Sequence, residues 1–174
     1  LLAEAGVCVR FASRVVDVEL SAEDKSLSGV IVADVEGLHC VRGRYFVDAT
    51  GDAALSVHAG FPAWRAGTDT PNIMPPTLCG LFADVRWEDM ERSPDGTHPL
   101  RQQERLEHAI EAGRFSRNDK HLPGLFRVGV HTGMMNAGHL FRTDATDRES
   151  LSHAYRDGRR LIREYLDFYR KDIE

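Results

Sequence analysis

Asp48-Ala49-Thr50-Gly51-Asp52 has the residue types and spacing that a ligand-binding turn needs. It is reached through the apolar run Tyr45-Phe46-Val47 and followed by Ala53 to Gly60. A buried strand, a tight Thr-Gly turn and a short helix opening on an acid bring bare backbone to the carboxyl edge of a sheet, where open α/β folds bind ligands. Gly51 has no Cβ, so a ligand can approach its backbone, and a positive φ there costs little. Unpaired N–H groups at the start of the next helix favour an anion or the polar rim of a nucleotide. Asp52 stands at the N-cap position of that helix, or at the place of a ribose-binding acid. The plainer alternative is a strand-to-helix turn with Asp52 as its cap and no ligand.

A second stretch, His131-Thr132-Gly133-Met134-Met135-Asn136-Ala137-Gly138-His139, offers two histidines as acid–base candidates, His131 and His139. Its plain alternative is a polar loop. Arg142 and Asp144 make either a substrate clamp or an exposed pair worth less than about 1 kcal/mol. The eight histidines show no His-Glu-x-x-His or similar spacing, so no metal site is expected. Cys8, Cys40 and Cys79 form no Cys-x-x-Cys, and their odd count argues against a disulfide framework. Reduced, mostly buried thiols in a cytoplasmic protein are expected.

The elements that must position these groups follow from the hydrophobic pattern. Residues 1–6 read as the tail of a helix closed by Gly6, feeding a strand at 7–9. Apolar runs at 15–20, 27–35 and 38–41, separated by a polar loop at 21–26 and by Glu36-Gly37, predict a three-stranded antiparallel meander. Residues 45–47 predict a short strand covered on both faces. A helix capped by Asp52 and closed by Gly60 comes next, then a loop-like stretch over 63–76. Strands are expected over 77–87, 125–130 and 139–142, a polar loop over 91–99 and an amphipathic helix over 100–113. The clearest element starts at Thr146-x-x-Glu149, read as a capping box. Leu151, Ala154, Tyr155, Gly158, Leu161, Ile162, Tyr165 and Tyr169 then recur at helical spacing. The basic residues Arg156, Arg159, Arg160 and Arg163 read as a solvated face of that helix. Two parts are expected, 1–62 and 63–174, in a mixed α+β chain of the α/β class. Trp64 and Trp87 are expected to pack.

A formal net charge of −5 with scattered basic residues calls for neither nucleic acid nor an anionic membrane as partner. No apolar run approaches the roughly 18–20 residues of a membrane span. The start lacks a basic region and a Met, so a signal peptide is not expected and more chain is expected before it.

The run 45–55, continuing to Ala59-Gly60-Phe61-Pro62, resembles the Ala-Thr-Gly-Asp segment of bacterial FAD-dependent oxidoreductases. These have a glutathione-reductase-type Rossmann domain and are similar to fumarate reductase flavoproteins. Leu1 to Val9 is similar to that family's helix and strand, and the meander sits where the family places its antiparallel crossover. Pro76-Thr77-Leu78, Asn136, Asp144-Ala145-Thr146-Asp147 and Gly158-Arg159 resemble its substrate-domain segments. The resemblance implies FAD as cofactor, with Ala49, Thr50, Gly51 and Asp52 beside its ribose and pyrophosphate and Val15 offering backbone to adenine. It implies a hydride or electron transfer with a small-molecule substrate, and a place for His131, Asn136 and His139 on the substrate side. It further implies an interior piece of an FAD-binding Rossmann-like domain plus part of a substrate domain ending in a long helix. The Gly-x-Gly-x-x-Gly turn of that family is absent from these 174 residues. Alone, the chain is therefore expected to be inactive, and to cover its open apolar face as a homo-oligomer or by re-pairing strands. The rival expectation is a non-enzymatic assembly module whose Thr-Gly turn is purely structural.

Overall fold

A computed structural model of the protein describes residues 1–90, 101–122 and 124–173. The loop expected over 91–99 lies outside the described residues. The chain is mixed α/β and divides into two compact units, Leu1–Thr70 and Pro71–Glu174.

The first unit is built on the expected meander. Strands β1 (Arg14–Leu20), β2 (Leu27–Asp34) and β3 (Gly37–Arg42) pair antiparallel in the order β1-β2-β3. Val30 sits opposite Val18 on one side and Val41 on the other, so the valines of all three strands share one face. At the polar loop the Ser21 N–H donates to the Ser26 carbonyl at 2.8 Å. The β2–β3 turn is tied by the Asp34 carboxylate, which accepts the Glu36 N–H at 2.8 Å. Helix α1 (Ala54–His58) lays Leu55 against Val30 and Val32, with Val15, Val18, Leu27, Val41 and Phe46 around them. Gly60 closes it at φ +77°, and the Phe61 N–H reaches back to the Ser56 carbonyl at 3.0 Å. That left-handed closure is the glycine end that the sequence predicts for this helix.

Several expectations are corrected here. Residues 1–6 form turns and 7–9 form no strand. Tyr45-Phe46-Val47 carries no strand ladder among the described residues. Phe46 packs on the valine core, but Tyr45 and Val47 are 92% and 88% exposed instead of covered on both faces. A period of side chains can be written in three residues, but a strand exists only where another edge supplies its hydrogen bonds. The three cysteines are exposed rather than buried.

In the second unit β4 (Gly80–Phe82), α2 (Trp87–Met90), α3 (Arg101–Glu111), β5 (Leu125–Arg127), β6 (Gly133–Met135) and α4 (Arg148–Asp172) follow in order. The sheet runs β4-β6-β5, antiparallel throughout. The expected strand over 77–87 shrinks to three residues plus a bridge from Thr77 to His139, and that over 139–142 to that bridge alone. The core is where α3 and α4 meet this sheet: Phe82, Leu106, Ala109, Met135, Ala137, Tyr165 and Phe168 are buried together. Trp87 is buried as expected, whereas Trp64 is 85% exposed.

Helix α4 has the expected length and face. Ala154, Gly158, Leu161, Tyr165 and Phe168 are its buried residues, while Tyr155 and the four arginines are exposed. Its cap is Asp147, not Thr146: the Asp147 carboxylate accepts the Ser150 N–H at 2.7 Å. Thr146 instead donates through its N–H and hydroxyl to Asp144. Gly158 is required by close approach, since a Cβ built there would sit 2.7 Å from the Leu78 Cβ.

The Tyr169 hydroxyl is buried in this core with no hydrogen-bond partner among the described residues, and burial pushes its pKa up. Its ring contacts Phe82 and Phe168 edge-on at 5.8 and 5.4 Å. Tyr169→Phe keeps the ring and deletes the unsatisfied group. It is expected to raise stability by about 1 kcal/mol, read from the midpoint of denaturant unfolding.

Candidate functional site

The turn that the sequence singles out is organised by Asp48. One carboxylate oxygen accepts the Thr50 N–H at 3.0 Å and the Thr50 hydroxyl at 2.7 Å. The other accepts the Ser56 N–H and the Ser56 hydroxyl, both at 2.8 Å. The Thr50 hydroxyl in turn accepts the Ala54 N–H at 2.7 Å. Asp48 thus ties the approach to the turn to α1 beyond it, and α1 is fixed on the meander through Leu55. These donors, the Thr50 hydroxyl foremost, hold the Asp48 carboxyl well below the usual carboxylate range.

Two local roles differ from the sequence reading. Asp52 does not cap α1: the N-cap is Ala53, left-handed at φ +51°, with no side-chain cap bond. The first N–H groups go instead to Thr50 and Asp48. The left-handed residue of the turn is Ala53, while Gly51 is not among the positive-φ residues. Ala49, Thr50, Gly51 and Asp52 are all exposed, and a Cβ built on Gly51 would meet nothing within 4 Å. Val15 lies in β1, paired with Val32, its side chain against the valine core. Among the described residues β1 pairs with no strand but β2.

The two histidine candidates are not brought together. His131 is exposed, at the β5–β6 hairpin end, where its carbonyl accepts the Val85 N–H at 3.1 Å. His139 is at the other end of the β4–β6 pairing, opposite Thr77. The stretch between them holds β6 and is not a plain polar loop. His139 has a partner the sequence did not reveal. Its backbone N–H and ring Nδ1 lie 2.7 and 3.0 Å from one oxygen of Asp119, a residue only 7% exposed. The other Asp119 oxygen accepts the His121 N–H at 3.2 Å. Asn136 is exposed and its side-chain oxygen accepts from the Cys79 thiol at 3.7 Å. On the β2–β3 turn, Asp34, Glu36 and His39 bring ligand atoms within 4.8 Å of one another. Asp34 there already holds the Glu36 N–H and the His39 ring.

The family model for FAD dependent oxidoreductases matches residues 1–174. The chain belongs to that family. No curated protein and no solved structure matched the chain. No helix among the described residues is long and apolar enough to cross a membrane.

For an FAD dependent oxidoreductase, the test of the turn is whether its groups suit the cofactor. Exposed peptide edges at 49–52, held rigid by Asp48 and clear of side chains at Gly51, fit a polar, uncharged part of FAD such as the ribose. The start of α1 is not itself a phosphate site. The N–H groups of Ala54 and Ser56 are already taken, and α1 has only five residues. The sequence reading included Asp48 without giving it a role and passed over Ser56, although Asp48-x-Thr50 is an Asx-turn spacing that pointed to the first bond. Asp119-x-His121 has the same spacing, but nothing local pointed from Asp119 to His139.

Proposed function

We propose that this chain serves an enzyme that moves a hydride or electrons between FAD and a small organic substrate. The observation that carries the reading is the Asp48-braced turn, whose backbone at Ala49, Thr50, Gly51 and Asp52 stands open in a chain of this family. When bound, the flavin supplies the redox chemistry; the protein orients it and excludes competing reactions. In this reading the turn borders the ribose, and the edge of β1 at Val15 takes the adenine. The second unit serves the small-molecule substrate, with His139 as acid–base group, and the enzyme works in the cytoplasm. His131, at the far end of the ladder, has no part in that chemistry.

The start of α1 is taken up by Thr50 and Asp48 and the sequence holds no Gly-x-Gly-x-x-Gly, so the 174 residues alone hold FAD weakly and do not turn over. Titrating the chain with FAD, followed by flavin absorbance, is expected to show no tight stoichiometric complex. The intact gene product is expected to purify yellow. Tight binding by these residues alone overturns the incompleteness; a colourless intact protein that takes up no FAD overturns the flavin reading itself.

A further inference from the structure

We infer that Asp119 is the positioning residue of a proton-transfer site at His139, fixing the ring so that Nε2 faces a ligand as the base. The inference deepens the reading above, in which the second unit serves the substrate.

The argument is one of valence. An ionised carboxylate only accepts hydrogen bonds. The Asp119 oxygen 3.0 Å from His139 Nδ1 therefore places the proton of the neutral ring on Nδ1. The lone pair is then on Nε2, which takes no hydrogen bond among the described residues. Orientation is fixed as well as tautomer. The same oxygen holds the His139 backbone N–H at 2.7 Å, so ring and main chain are clamped to one atom. The His121 ring stacks on His139 at 5.3 Å with 29° between planes, and Phe141 lies at 5.6 Å. The Asp119 carboxylate is buried, whereas the His139 side chain keeps 28% of its surface, so the assembly has a closed inner end and an open outer one. A histidine serving the core alone would need neither a buried acid on Nδ1 nor a ring left partly in solvent.

The chemistry is a proton transfer with a neutral organic ligand. The proton leaves an O–H or C–H of the ligand and lands on Nε2. The ring becomes imidazolium, facing the carboxylate of Asp119. Return of the proton restores the neutral ring with Nδ1–H. Asp119 touches no ligand and acts through His139.

Two readouts on the full chain test this without flavin. Nitrogen-15 NMR of the histidine rings at mildly alkaline pH is expected to show His139 as the Nδ1–H tautomer alone. A ring with its proton on Nε2, or a mixture, overturns the inference. The unprotonated ring nitrogen attacks a carbonyl of diethyl pyrocarbonate and takes its ethoxycarbonyl group, and mass spectrometry locates the modified residue. Asp119→Asn is expected to slow modification of His139 roughly tenfold, the order seen when a partner of a functional histidine is lost. Exposed His58, in the other unit, serves as control and is expected not to change. An equal rate at His139 in both proteins overturns the positioning role. If Asp119→Asn fails to fold, the tautomer of the unaltered chain still decides. A colourless gene product would sink the flavin reading and leave both readouts as they are.

Discussion

Asp48→Ala is expected to release the 49–52 turn and to weaken FAD binding by the flavin-bearing protein about tenfold or more, read as Kd by flavin titration. The size follows from how much one side chain does. Its two oxygens accept from Thr50 and Ser56, through an N–H and a hydroxyl of each, four bonds that tie the approach to the turn to α1. Removing it leaves the Ser56 N–H without its acceptor and frees Thr50 from the position in which it caps Ala54. Asp48→Asn is not a mild change. Whichever side receives the amide nitrogen then faces an N–H donor, so one of the two bridges is lost. The pH dependence has a defined sign. The folded carboxyl lies below its unfolded value, so its contribution is complete above the unfolded value of about 3.9 and fades as pH falls below it. FAD affinity is therefore expected to show no Asp48-linked loss from neutral pH down to about 4. Equal affinity for FAD in Asp48→Ala and the unaltered protein would remove Asp48 from the site.

The contrast between Asp48 and Asp52 shows what the sequence could and could not say about this site. The position of the turn was legible, because an apolar run, Thr-Gly and a short apolar helix are local signals. The acid that mattered was not: Asp52 is nearer the helix, but Asp48 reaches Ser56 eight residues on, and only the folded turn brings the two together. Asp119 and His139 are twenty residues apart, and nothing in their neighbourhoods links them. The same division runs through the fold. The meander could be read because each strand is long enough to show its pattern and each turn has its own chemistry. Helices α3 and α4 could be read from periodicity, with α4 misplaced by one residue at its cap, where Thr146 and Asp147 both qualify and the geometry favours Asp147. Strands β4 and β6 are three residues each, too short for a period of two to declare itself. Residues 45–47 have the composition of a strand, and the described residues give them no edge to pair with.

Phe168→Ala carries the largest expected cost to stability. Phe168 is 1% exposed and sits where α4 meets α3 and the second sheet, among Leu106, Met135 and Tyr165. Its ring lies 6.0 Å from Phe115 and 5.4 Å from Tyr169, both edge-on. Truncation removes the transfer energy of the ring and leaves a cavity that rigid neighbours on two helices and a sheet cannot close. The expected loss is about 3–5 kcal/mol, against total stabilities of about 5–15 kcal/mol for ordinary domains. The second unit should then be near its unfolding threshold, and amide hydrogen exchange should accelerate at α3 and β6 as well as around residue 168. Asp167→Ala, one residue away on the exposed face, is expected to change stability by less than about 0.5 kcal/mol. The neighbouring pair separates burial from mere helix membership. A loss under about 1 kcal/mol at Phe168, or exchange confined to its own turn of α4, would mean that the aromatic cluster does not join the helices to the sheet.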